Sequence, residues 1–167
     1  MAVDNIILIG MPGCGKTTLG RKLADMLAWP FRDTDRVAER LSGQSVAALF
    51  QRGEAYFRDW ETRACRVCGG ETHTVIACGG GTVLRPENMQ CWSHRSVIIW
   101  IRRPLALLAT AGQVETRPLL QGNKETVYSL YAQRRGLYEQ YAQATVRNDG
   151  EEETALQQLT ACVKNRL

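Results

Sequence analysis

The chain has 167 residues, 44% hydrophobic and 23% charged, with a formal net charge of +4. That length fits one domain (1–167) with a real core, and the balance excludes a disordered or fibrous protein. The mild charge, the lack of a basic run and the lack of a long apolar stretch argue against nucleic-acid or membrane partners.

The 21 basic residues comprise 17 Arg and four Lys. A guanidinium suits carboxylate and phosphate, so the bias fits a small anionic ligand; genomic composition produces the same bias. Six cysteines (Cys14, Cys65, Cys68, Cys78, Cys91, Cys162) occur without a signal-peptide pattern, which points to reduced thiols in the cytosol. The spacing of Cys65 and Cys68 reads as one helix face, since no second pair or histidine stands at zinc-ligand spacing.

In chain order, Ile6–Ile9 reads as a strand buried on both faces. Gly10 opens G-x-x-x-x-G-K-T, and a helix follows with Leu19, Leu23, Met26 and Leu27 on one face. In this strand–loop–helix context the pattern is a P-loop. Gly13 and Gly15 let successive N–H groups turn toward an anion, and the helix N-terminus adds its partial positive charge. Lys16 reaches the β- and γ-phosphates and Thr17 meets Mg²⁺, while Cys14 and Thr18 complete the loop that holds the nucleotide. The chain therefore binds a nucleoside triphosphate.

Pro30 stops the first helix, and Phe31-Arg32-Asp33 is a short second strand. Helical segments at 36–41, 45–52 and 54–68 form a cap across 34–70. His73–Cys78 is the third strand, Pro86 starts a short helix, and Ser96–Ile101 is the fourth strand. A helix over 104–111 precedes a polar flap at 112–123. Lys124–Ala142 is a helix, Ala144–Arg147 the fifth strand and Glu151–Arg166 the closing helix. Alternating strands and helices predict a parallel sheet covered on both faces.

Residues for the second substrate fall after the other strands. Asp33 and Asp35 point the same way along an extended segment, one for the metal's water shell and one to accept a hydroxyl proton. An Asx turn or a helix N-cap at Asp35 is compatible with that role. Arg58 has Glu61 three residues on, either a solvated pair or a positioned clamp. Gly79, Gly80 and Gly81 allow close approach of a ligand to the backbone. Arg117, in the flap, is placed to neutralise charge during phosphoryl transfer.

Together, G-M-P-G-C-G-K-T-T at Gly10, D-T-D at Asp33, G-E-A-Y-F-R-D-W-E at Gly53, V-I-A-C-G-G-G at Val75, R-P-L-L at Arg117 and R-R-G-L-Y-E-Q-Y-A at Arg134 resemble the shikimate kinase family. They keep the family's order and approximate spacing over nearly the whole chain. The resemblance implies the three-layer P-loop kinase fold, an α/β fold with a five-stranded parallel sheet of order 2-3-1-4-5. It implies transfer of the ATP γ-phosphate to the 3-hydroxyl of shikimate, a step of aromatic amino-acid biosynthesis, in a cytoplasmic enzyme whose default state is a monomer.

By the same resemblance, Asp35 binds the shikimate hydroxyls and is the candidate base. Arg58 and Arg134 grip the carboxylate, with Arg135 adjacent to the second of these, and Gly79–Gly81 contact the substrate. Thr17 and Asp33 serve Mg²⁺, and Lys16 and Arg117 neutralise the transferring group. The chain departs from many members in having Cys78 before the glycine triplet and no basic residue at 110–116. A kinase for another small acceptor and a non-catalytic nucleotide-binding regulator are the competing readings.

Overall fold

The computed structural model describes residues 3–110 and 124–167. Its centre is β1 (Asn5–Ile9), buried at all five positions. Beside it run β3 (Thr74–Ala77) and β4 (Val97–Arg102), and outside these lie β2 (Phe31–Asp33) and β5 (Ala144–Arg147). All pairings are parallel, in the order β2-β3-β1-β4-β5. Ile7 sits between Ile76 and Ile98, so the middle of the central strands is apolar on both sides.

Helix α1 (Lys16–Leu27) follows β1 directly. Its buried stripe is Leu19, Gly20, Leu23 and Ala24, with the Phe31 ring filling the space beside Gly20. Met26, expected on the inner face, is 59% exposed. The two small residues bring the helix close to the sheet and rotate its contact line toward themselves, leaving Met26 about a quarter-turn away.

The cap consists of α2 (Thr34–Ser42), α3 (Val46–Gln51) and α4 (Glu54–Gly69). Helix α2 starts two residues earlier than expected because Asp33, rather than Asp35, is its N-cap. The Asp33 Oδ1 accepts from the amides of Asp35 at 3.0 Å and Arg36 at 3.4 Å. The third strand is shorter than the expected 73–78, since His73 has a left-handed φ of 54° that no strand residue adopts. The remaining elements are a 3₁₀ turn (Thr82–Leu84), α5 (Pro86–Met89), α6 (Leu105–Thr110), α7 (Lys124–Tyr141) and α8 (Glu152–Lys164). The expected fourth strand, 96–101, is displaced by one residue, and the helix bounds differ from expectation by one or two, the usual fraying range.

Cys65, Cys68 and Cys78 are buried in the core with their thiols unbonded. Burial pushes all three up in pKa, so they are inert packing groups. Among the described residues no cluster could hold a metal through three His, Cys, Asp or Glu side chains. Nor is any described helix long and apolar enough to cross a membrane.

Candidate active site

Parallel strands deliver their following loops to one edge, and the candidate residues gather there. The loop after β1 closes with the Cys14 amide donating to the Met11 carbonyl at 3.2 Å. Gly15 has a φ of 104° and is the N-cap of α1, with no side-chain cap. A Cβ at Gly15 would lie 2.5 Å from the Asn148 Nδ2, so both backbone twist and space demand glycine. No acidic residue occupies the first turn of α1. The helix therefore offers its uncapped amides and positive end to an anion.

Lys16 is 8% exposed, and its ammonium donates to the carbonyls of Gly10 at 2.8 Å and Met11 at 2.9 Å. Turning it toward a phosphate exchanges neutral acceptors for anionic ones. Thr17 and Thr18 are exposed, Gly13 is half-buried, and Cys14 is buried with its thiol 3.6 Å from the Lys16 ammonium. The Thr17 hydroxyl donates to Asp33 Oδ2 at 2.9 Å. A hydroxyl and a carboxylate side by side fit Mg²⁺, which takes oxygen ligands, keeps several waters and shares the nucleotide's phosphates.

The glycine triplet after β3 is where the acceptor-side groups meet. A Cβ on Gly79 would lie 2.8 Å from Asp35 Oδ1 and 2.7 Å from Glu61 Oε2. One on Gly80 would strike Pro12 of the P-loop at 2.5 Å, and one on Gly81 would overlap the Arg58 guanidinium. The sequence alone suggests that the triplet makes room for a ligand. The same glycines also make room for the site's own side chains, Asp35, Glu61, Arg58 and Pro12, which pack against the loop.

Asp35 Oδ1 is sealed from solvent and has no hydrogen-bond partner among the described residues. Burial, then the charges of Asp33 and Glu61, push its carboxyl up to about 7, against the opposing pull of Lys16 and Arg58. A carboxylate poised there suits a general base at neutral pH.

Arg58 and Glu61 form a buried pair, 6% and 0% exposed, joined at 2.9 Å, so the surface reading of that spacing does not hold. Glu54 holds the other Arg58 terminal nitrogen at 3.1 Å, and the guanidinium lies 5.2 Å from the Phe57 ring centroid. Burial works against its charge, but the Glu61 and Glu54 carboxylates outweigh it and hold the pKa above the usual arginine value.

Arg134 is 1% exposed, and its Nε and Nη1 have no partner among the described residues. Burial lowers its pKa, and the like charge of Arg58 acts in the same direction. Two buried cations close enough to repel, Arg134 with two unpartnered nitrogens and Arg58 with an unpartnered Nε among the described residues, suit an incoming carboxylate. Arg135 points away, paired at the surface with Glu139 at 2.9 Å. Arg117 lies outside the described residues.

Four further side chains take part in the site without a role that local spacing reveals, two of them, Thr34 and Tyr138, inside quoted motifs. The Thr34 hydroxyl accepts from the Gly79 amide at 2.9 Å. Thr82 donates to Glu61 Oε2 at 3.1 Å. The Tyr138 hydroxyl donates to the Gly80 carbonyl at 2.6 Å, and Asn148 Nδ2 donates to the Cys14 carbonyl at 2.9 Å. Each acts on a loop backbone or carboxylate far away in sequence, a relation with no local spacing signal.

The shikimate kinase family model matches residues 12–164. The shikimate kinase of Clostridium beijerinckii is 40% identical over 148 residues, covering 89% of this chain and 88% of that protein. Among solved structures, shikimate kinase from Acinetobacter baumannii in complex with shikimate has a TM-score of 0.90 at 30% identity, covering 99% of this chain and 96% of that one. Shikimate kinase from Bacteroides thetaiotaomicron has a TM-score of 0.84 at 28% identity, over 98% of this chain and 99% of that one. With a family model matching residues 12–164 and a relative 40% identical over 89% of this chain, the chain belongs to the shikimate kinase family.

Proposed function

We propose that this site transfers the γ-phosphoryl group of ATP to the 3-hydroxyl of shikimate, with the residue roles that follow. The observation that carries the reading is the convergence on one glycine loop of a sealed carboxylate, Asp35, and a buried arginine, Arg58, with Pro12 of the P-loop against the same backbone and a second buried arginine, Arg134, one turn before the Tyr138 that holds Gly80. A small polyol carboxylate needs those groups.

The amides at Gly13–Gly15 and the start of α1 hold the phosphates, with Cys14 and Thr18 lining the loop. Lys16 leaves its carbonyl partners for the β- and γ-phosphates. Thr17 would hold Mg²⁺ directly and Asp33 through the ion's water shell, and the ion would offset charge on the phosphoryl oxygens. Asp35 hydrogen-bonds the reacting hydroxyl and takes its proton as the oxygen–phosphorus bond forms and the bond to ADP breaks. Arg58 and Arg134 grip the carboxylate and so fix which hydroxyl faces the phosphorus, while the backbone of Gly79–Gly81 borders the ring. The cap at 34–70 is the acceptor-binding region of a single 1–167 domain. The same reading takes the protein as a cytoplasmic monomer with no nucleic-acid or membrane partner.

Residues 112–123 serve as the lid. Arg117 is assigned to the transferring phosphoryl group, so Arg117→Ala is expected to lower turnover about a hundredfold, the usual cost of one charge-stabilising donor. Shikimate affinity, measured by titration calorimetry, should change less than twofold. Unchanged turnover removes Arg117 from the mechanism.

Phosphorus NMR of the product after incubation with Mg²⁺-ATP and shikimate tests the regiochemistry. One phosphate ester, coupled to the proton at C3, is the expected result. Phosphorylation at another hydroxyl, or only inorganic phosphate, contradicts the proposed grip.

A further inference from the structure

Tyr138 is wholly buried on α7, one turn after Arg134, with its ring stacked near Trp100 at a centroid distance of 5.7 Å. An apolar ring would serve such packing equally well. The hydroxyl does something more specific, because its one proton goes to the Gly80 carbonyl at 2.6 Å, a short bond across 58 positions of sequence. With the proton committed there, the oxygen's lone pairs can accept from another donor, and Arg134, four residues earlier on the same face of α7 and equally buried, is placed to supply one. One phenol oxygen thus connects the glycine loop to the arginine.

The loop is held from the opposite side by the Thr34 hydroxyl, which accepts from the Gly79 amide at 2.9 Å. These two bonds fix both ends of the Gly79–Gly80 unit. Because peptides are planar, a fixed Gly80 carbonyl also fixes the Gly81 N–H on the opposite side of that peptide. Arg134 has few other constraints: its Nε and Nη1 have no partner among the described residues, and Arg58 repels it.

We infer that Tyr138 is a positioning residue for the acceptor's carboxylate, holding Arg134 and the Gly80 peptide in register through its hydroxyl. The assignment rests on the reading of Arg134 as a carboxylate ligand. Its effect should fall on shikimate binding and leave the nucleotide side alone, since the Tyr138 hydroxyl donates to the glycine loop and not to the P-loop.

The test is steady-state kinetics of Tyr138→Phe, with Arg134→Ala and the double variant completing a cycle. Loss of one hydrogen bond to a charged group predicts a rise in KM for shikimate of about tenfold. The KM for ATP and kcat should stay within twofold, and Tm within about 3 °C of the parent. On the Arg134→Ala background, Tyr138→Phe should add less than twofold to the shikimate KM.

A Phe variant with parental shikimate KM, equal losses for ATP and shikimate, failure to fold, or a full tenfold effect without Arg134 would each overturn the inference and leave Tyr138 as packing. Failure of the underlying reading looks different. In that case Arg134→Ala itself leaves the shikimate KM unchanged.

Discussion

Asp35→Asn is expected to lower turnover by about three orders of magnitude, the range of a well-placed general base, while Mg²⁺-ATP binding changes less than threefold. Asparagine keeps the shape and a hydrogen-bonding oxygen but cannot take the hydroxyl proton. The nucleotide side should be spared because Asp33, not Asp35, contacts Thr17 and caps α2. The pH profile belongs to the same prediction. With the free carboxyl near 7, kcat/KM of the parent should fall tenfold per unit below that value, as protonation removes the base.

The same variant has a second signature, in stability. The Asp35 carboxyl moves from an ordinary 3.8 to about 7 on folding. A raised pKa means that the folded protein binds the proton more tightly than the unfolded chain. The resulting stability is fully present below the unfolded value and is lost as pH rises through about 7. At pH 8 the parent holds a poorly solvated anion, and the asparagine variant does not. A rise of that size corresponds to about 4 kcal/mol in full, of which the interval from pH 5 to pH 8 covers about 3 kcal/mol. Urea unfolding should show Asp35→Asn gaining that much relative to the parent between pH 5 and pH 8. A pH-independent difference would mean that Asp35 is ionised throughout, and a variant that does not fold would make it structural.

Arg134→Ala should raise the shikimate KM by about a thousandfold, with the ATP KM within threefold. Arg134 is 1% exposed with two unpartnered nitrogens, so an incoming carboxylate supplies bonds that the protein does not. A desolvated bidentate ion pair is worth about 4 kcal/mol when one partner is removed, hence the size of the effect. Removing a buried, repelled cation should also leave the ligand-free protein no less stable, which thermal unfolding will show. Arg135→Ala is the control. Its side chain is paired at the surface with Glu139, and the shikimate KM should stay within twofold. The reverse pattern would reassign the carboxylate grip to Arg135.

The P-loop and the Asp33–Asp35 pair are legible because their chemistry is contiguous: the strand, the glycines and Lys16 occupy one stretch of eleven residues, 6–16. The sheet order follows from family resemblance, whereas alternation alone yields only a parallel sheet. Other features depend on what meets what in space. An i, i+3 spacing is the same on a surface helix and a buried one, so nothing local places Arg58 and Glu61 in the interior. Helical periodicity puts Met26 beside Leu19, but Gly20 and Ala24 decide which side of α1 approaches the sheet. The glycine triplet announces a close approach without saying of what, and Pro12, Asp35 and Arg58 turn out to be the neighbours. Tyr138 and Thr34 act through the backbone of a loop distant in sequence, and their residue types carry no mark of it.

The central claim is that one site brings ATP and shikimate together for phosphoryl transfer. Its most direct test is ADP release by the purified protein with Mg²⁺-ATP, in the presence and absence of shikimate. ADP release that requires shikimate and saturates with it is the predicted result. ATP binding with ADP release that is the same with and without shikimate would contradict the account.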